Sequence, residues 1–227
     1  MSLQLIELAA EHLGPVCDEV AFLGGASLVL WIDDPAAPDP RATIDVDVVV
    51  VVENRRGYYE LGERLRGQNF SEDPADGVVC RWRHRTGLIL DVMPTDENVL
   101  GFTNTWYEPA IEHAAVLTLP SGRRIKAVTP PYLLATKLEA FVNRGHEDYL
   151  ASVDFEDIVR LVDGRSTLAD EIRAAPDDLQ AFLRVEFARR IDDERFQTGI
   201  AAGLMPDAAS QARRPLILNR LREIATP

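Results

Sequence analysis

The sequence predicts an α+β protein in two lobes, on three observations. Short apolar runs of strand character punctuate the N-terminal half. The C-terminal half instead repeats its apolar residues at helical spacing, and Pro130-Pro131, a helix-start signal, marks the change. The expected division is a lobe over 1–128 built on a small mixed β-sheet with flanking helices, and a helical lobe over 129–227.

The first segment, Met1 to Leu13, reads as an amphipathic helix without the cationic start of a signal peptide. Val20 to Leu23 then forms a short apolar strand, Gly24-Gly25 permits a tight turn, and residues 26–32 carry helical character. Backbone N–H groups at a helix start bind phosphate oxygens, and Ser27 adds a hydroxyl. A Pro- and Asp-rich loop over 33–40 follows, longer than the minimum and read as a local insertion.

Residues 44–52 are almost all β-branched and apolar, interrupted only by Asp45 and Asp47. The two-residue period of a strand puts both carboxylates on one face. Burying like charges side by side costs several kcal/mol unless something neutralises them. A divalent cation held through oxygen ligands does so, as would hydration or a salt bridge to arginine; a strand end facing solvent is the plainer alternative.

Further on, Arg81, Arg83 and Arg85 share one side of a predicted strand that leads through a turn at Thr86-Gly87 into Leu88-Ile89-Leu90-Asp91-Val92-Met93, where Asp91 is an isolated carboxylate. With Arg55, Arg56, Arg64, Arg66, Arg123 and Arg124, these arginines either receive a nucleotide or tRNA or pair with the excess acid of the chain.

After Pro130-Pro131, Leu133, Leu134, Leu138, Phe141 and Val142 define a helix, on which Lys137 and Arg144 fall on one face two turns apart. Two cations so placed make a triphosphate clamp. Lys126 and Lys137 are the only lysines, and lysine acts on phosphate as a compact point charge; a solvated surface lysine is the alternative. In the next predicted helix Asp154 and Asp157 share a face, with Phe155, Ile158 and Val162 on the apolar side. Residues 166–227 read as further helices broken near Pro176, Gly199 to Gly203 and Pro206, with apolar stripes at Leu179, Phe182, Leu183, Phe187 and Ile191 and at Leu216, Ile217, Leu221 and Ile224.

Composition narrows the classes. A formal net charge of −13 over 227 residues argues against a protein that grips nucleic acid across a wide surface. No apolar run approaches the ~20 residues of a membrane span. Cys17 and Cys80, far apart and without metal spacing, are expected as reduced core residues of a cytoplasmic protein, and the four histidines form no closely spaced ligand pair.

Leu23-Gly24-Gly25-x-Ser27 followed by Asp45-Val46-Asp47 resembles the signature of the polymerase β-like nucleotidyltransferase superfamily, with Asp91 at the place of its third carboxylate. The resemblance implies a two-lobed nucleotidyltransferase fold with its active site between the lobes. It also implies that Asp45, Asp47 and Asp91 hold two Mg²⁺ ions, and that Gly24, Gly25, Ser27, Lys137 and Arg144 bind nucleotide phosphates. Arg41-x-Thr43-x-Asp45-x-Asp47, Lys137 with Arg144, and Asp154-x-x-Asp157-x-x-x-Leu161 are similar to the AbiEii branch, which includes the MenT-type toxins, across residues 20–162. That branch implies Lys137 on the triphosphate and Asp157, in preference to Asp154, as base toward the acceptor hydroxyl, with Asp154 expected as the helix N-cap.

The activity implied is Mg-dependent transfer of NMP from an NTP to an acceptor hydroxyl with release of pyrophosphate. The acceptor would be tRNA or protein, and a cognate antitoxin would be a partner. Two alternatives are transfer to a small molecule of the aminoglycoside type, which an acidic surface favours, and a non-catalytic relative that binds a nucleotide or a partner protein.

Overall fold

The computed structural model describes residues 2–52, 54–73 and 77–226. The chain divides into two compact units, Met1–Val29 with Arg41–Thr129, and Leu30–Pro40 with Pro130–Pro227. The Pro- and Asp-rich loop therefore packs with the C-terminal helices.

The first unit holds α1 (Ser2–Leu13), β1 (Val20–Leu23), α2 (Gly24–Ser27), β2 (Asp45–Val50), α3 (Arg55–Gly67), β3 (Phe70–Glu72), β4 (Arg81–His84), β5 (Ile89–Pro94), α4 (Glu97–Leu100), α5 (Tyr107–Glu112), β6 (Ala115–Thr118) and β7 (Arg124–Ala127). Its strands make one mixed sheet in the order β3-β4-β5-β2-β1-β7-β6. The central strands are the most apolar: Phe22, Val46, Val48, Leu90 and Val92 are all buried. β2 runs antiparallel to β1 with Leu23 opposite Asp47, and parallel to β5 with Asp47 opposite Asp91. β4 folds back antiparallel on β5 around the Thr86-Gly87 turn, which sets Arg81 opposite Asp91.

Three details differ from the sequence reading. β2 spans only Asp45–Val50 of the strand read over 44–52, with Ile44 and Val51 exposed on either side of it. The helix after Gly24-Gly25 is a single α turn that tightens to a 3-10 turn at Leu28–Leu30, shorter than the helical run read over 26–32. The sheet also gains β3, β6 and β7, three short strands of which β3 and β6 form its edges.

The second unit is helical: α6 (Pro130–Asn143), α7 (Val153–Gly164), α8 (Leu168–Arg173), α9 (Asp177–Ala188), α10 (Glu194–Gly203), α11 (Ala208–Gln211) and α12 (Arg214–Ala225). Its core is an aromatic cluster of Phe141, Tyr149, Phe155 and Phe196, with ring centroids 5.0 to 5.6 Å apart. Gly199 permits this closeness, since a Cβ there would lie 2.5 Å from that of Tyr149. The loop over 30–40 is tied in by the Asp33 and Asp34 N–H groups, which both donate to the Gly164 carbonyl, and by Arg213, which bridges Asp34 and Asp163 at 2.6 and 2.7 Å. Of the expected apolar stripes, Ile217, Leu221 and Ile224 are buried, whereas Leu216 is exposed because it falls off the inward face of α12. Among the described residues no helix is long and apolar enough to cross a membrane.

Candidate active site

In the first unit the strand registers gather charge on one sheet face. Asp45 and Asp47 alternate along β2, Asp91 sits beside Asp47 on β5, and Arg81 sits beside Asp91 on β4. Arg81 makes a two-pronged contact with Asp91, Nε donating to Oδ1 at 2.9 Å and Nη2 to Oδ2 at 2.8 Å. The same Nη2 donates to Asp45 Oδ2 at 3.0 Å. The other oxygen of Asp45 accepts from the Thr43 hydroxyl at 2.5 Å. The Arg81 and Asp91 side chains are only 11% and 9% exposed, so this pairing is shielded from solvent screening. Among the described residues no three carboxylate, imidazole or thiol groups stand close enough to hold a metal ion in the Arg81-bridged arrangement.

The glycine turn is fitted to the same face. Gly24 has φ +75°, and a Cβ on it would lie 1.8 Å from Asp47 Oδ2. Asp47 therefore occupies the space that any other residue at 24 would fill. Gly25 and Ser27 lie in the buried turn behind it; the Ser27 hydroxyl is fully enclosed and donates to the Gly24 carbonyl at 2.8 Å, closing the turn from within.

In the second unit Lys137, Arg144, Asp154 and Asp157 come together. Lys137 Nζ lies 3.0 Å from Asp154 Oδ1 and 2.7 Å from Asp157 Oδ2, so the lysine is buried between two carboxylates of α7. Arg144, just beyond the end of α6, is exposed and forks onto Asp154 through Nε and Nη2, both at 2.8 Å. Asp154 is not the helix N-cap: Ser152 caps α7 by accepting from the Phe155 N–H. Asp154, released from capping, is the carboxylate that joins the two cations.

Burial alone would push Asp154 up. The Arg144 hydrogen bonds, then the charge of Lys137, overcome it and bring the carboxyl down from 3.8 to about 2. A carboxylate held below its unfolded value stabilises the fold above that value and loses the contribution as pH falls through the folded one. Asp154 should therefore add roughly 2 kcal/mol that vanishes between about pH 4 and pH 2. Denaturant titrations of wild type and Asp154→Asn across that window should show a shallower pH slope in the variant; parallel slopes would contradict the assignment.

The arginines of the first unit mostly meet acid. Arg83 pairs with Asp73, Arg66 with Glu63 and Glu72, Arg64 with Glu19 and Arg56 with Glu60. The alternative in which they compensate excess acid is the one observed for these residues. Sequence reasoning offered a salt bridge to arginine as one way to neutralise the β2 carboxylates but grouped Arg81 with the other arginines and did not assign it that place; a hairpin register counted from Thr86-Gly87 would have placed it opposite Asp91.

One sheet face of the first unit thus carries Asp45, Asp47 and Asp91 beside a glycine turn, and the helical unit holds a buried Lys137. A family model for the nucleotidyl transferase AbiEii toxins of type IV toxin–antitoxin systems matches residues 8–224. The chain belongs to that family and is a nucleotidyltransferase. Comparison with curated proteins returns no match.

Proposed function

We propose that the protein transfers NMP from an NTP to an acceptor hydroxyl, releasing pyrophosphate, with tRNA or a protein as acceptor and a cognate antitoxin as its regulator. The observation that carries this reading is the convergence of Asp45 and Asp91 on a single cation, with Asp47 on the same face against the Gly24 turn.

The donor chemistry suits a divalent ion: three oxygen-bearing side chains share one face, Asp45 and Asp91 among them turned toward one positive group, and they would have to draw together from this arrangement to hold it. Asp45, Asp47 and Asp91 would hold Mg²⁺, two ions in the full reading, and when bound it would supply charge neutralisation at the triphosphate and a more acidic acceptor hydroxyl. The rest falls to the chain. Gly24 and Gly25 offer backbone N–H groups to phosphate oxygens. Ser27 fixes the turn that presents them. Lys137, held by Asp154 and Asp157, is assigned to charge developing on the triphosphate, and Arg144 to the outer phosphates. Asp157 is assigned to receive the proton of the acceptor hydroxyl.

The net charge of −13 and the pairing of the first-unit arginines favour an acceptor engaged at one end, such as a tRNA terminus, over one gripped along its length. Incubation with each α-labelled NTP, Mg²⁺ and total tRNA, beside tubes holding protein or an aminoglycoside, should move label to tRNA or protein. Asp45→Asn should lower that transfer by about 10³-fold while leaving the fold intact. Label only on the small molecule would replace the acceptor, and full activity in Asp45→Asn would refute the metal assignment.

A further inference from the structure

Three like-charged side chains on one sheet face are stable only with a compensating cation, and the chain supplies its own. Arg81 reaches that face from β4, on the strand next to Asp91, and its guanidinium spans two strands to touch Asp45 on β2. Its contact with Asp91 uses Nε and Nη2 on the two carboxylate oxygens, the geometry that guanidinium and carboxylate favour. Its contact with Asp45 is a single shared Nη2 donor, 3.0 Å long, to a carboxylate that is more exposed than Asp91. Of these contacts, the one on Asp45 is the weaker.

We propose that Arg81 is a place-holding positioning residue. It bridges Asp45 and Asp91 while no divalent ion is bound, keeps the two carboxylates turned toward one point, and gives up Asp45 when the ion enters. The proposal rests on the reading of Asp45, Asp47 and Asp91 as the metal face. The guanidinium sits against the same Asp45 and Asp91 oxygens that would ligate an ion, so an incoming cation meets a like charge there and binds well only once Arg81 draws back from Asp45. Metal binding is then a competition between a cation tethered to the chain and one from solution.

The test is Mn²⁺ binding to the nucleotide-free full chain, read by the loss of the free-ion EPR signal, for wild type, Arg81→Gln, Arg81→Lys and Asp45→Asn. Arg81→Gln should bind Mn²⁺ about 10- to 100-fold more tightly than wild type, the factor expected from removing one charge-assisted competitor. Arg81→Lys, which keeps the charge but cannot bridge two carboxylates through a planar fork, should fall between. Thermal melts give an independent readout: without metal Arg81→Gln should melt below wild type, and saturating Mn²⁺ should raise it by more than it raises wild type. Should Arg81→Gln fail to fold without metal, Arg81→Lys and its melting shift carry the same comparison.

Equal or weaker Mn²⁺ binding in both Arg81 variants, with Asp45-dependent binding in wild type, would overturn the place-holder alone. Binding in wild type that Asp45→Asn leaves unchanged, or no binding in any variant, would overturn the metal face and the place-holder with it.

Discussion

Lys137→Met is expected to fail in two separable ways, losing nucleotidyl transfer by about 10²-fold or more and lowering stability by about 3–5 kcal/mol, the usual cost of breaking a buried ion pair from one side. The stability loss follows from position: the Asp157 side chain is fully buried with Lys137 Nζ 2.7 Å away, and Asp154 is 6% exposed with the same ammonium at 3.0 Å. Arg144 still neutralises Asp154 in the variant, so the penalty centres on Asp157. A second substitution separates the two failures. In Lys137→Met with Asp157→Asn the carboxylate facing the lost ammonium is gone and an amide of the same size remains, so denaturant stability should return to within about 1–2 kcal/mol of wild type while transfer stays lost. If activity returned with stability, the lysine and the aspartate would be a structural pair, and the phosphate and base assignments would fall together.

How far the sequence carried this site depends on whether the relevant geometry is local. The strand period alone put Asp45 and Asp47 on one face, and a turn signal at Thr86-Gly87 led to Asp91, because alternation and hairpin turns are written within a few residues. The close approach of Gly24 to Asp47 was beyond that reach: it depends on the antiparallel pairing of β1 with β2, which sets Leu23 opposite Asp47. Arg81 was legible as a charge on a strand, but its partners follow from two registers at once. The burial of Lys137 required knowing that α7 lays two carboxylates against α6, whereas helical spacing alone left a solvated lysine equally open. Asp154 was misread as a cap since Asp and Ser are both good caps, and Ser152, two residues earlier, takes the place. The edge strands β3 and β6 were missed for a compositional reason. Phe70-Ser71-Glu72 is mostly polar, and Ala115 to Thr118 alternates half-buried and exposed positions with no fully buried residue, so neither gives the apolar run that marked β2 and β5.

Gly24→Ala should inactivate the enzyme through a carboxylate it does not carry. The new Cβ would lie 1.8 Å from Asp47 Oδ2, 2.5 Å from its Cγ and 2.7 Å from its Cβ, all shorter than a carbon can tolerate, and the contact includes the root of the side chain as well as its tip. Rotation of Asp47 about χ1 cannot clear its own Cβ, so the turn or the strand has to shift, and the carboxylate is expected to leave the face it shares with Asp45 and Asp91. A positive φ adds a cost of about 1–3 kcal/mol for a residue with a side chain. Gly101 supplies the control, since it has φ +83° with nothing within 4 Å of the position a methyl would take, so Gly101→Ala bears the backbone cost without the collision. Gly101→Ala should lose a little stability and keep its transfer rate; Gly24→Ala should lose more stability and at least about 10²-fold in rate. Mn²⁺ affinity distinguishes the cause, because displacement of Asp47 weakens ion binding, whereas a defect confined to phosphate contacts leaves it unchanged. Wild-type transfer and wild-type Mn²⁺ binding in Gly24→Ala would mean that Asp47 is able to move without consequence, and its place among the metal-holding carboxylates would have to be given up.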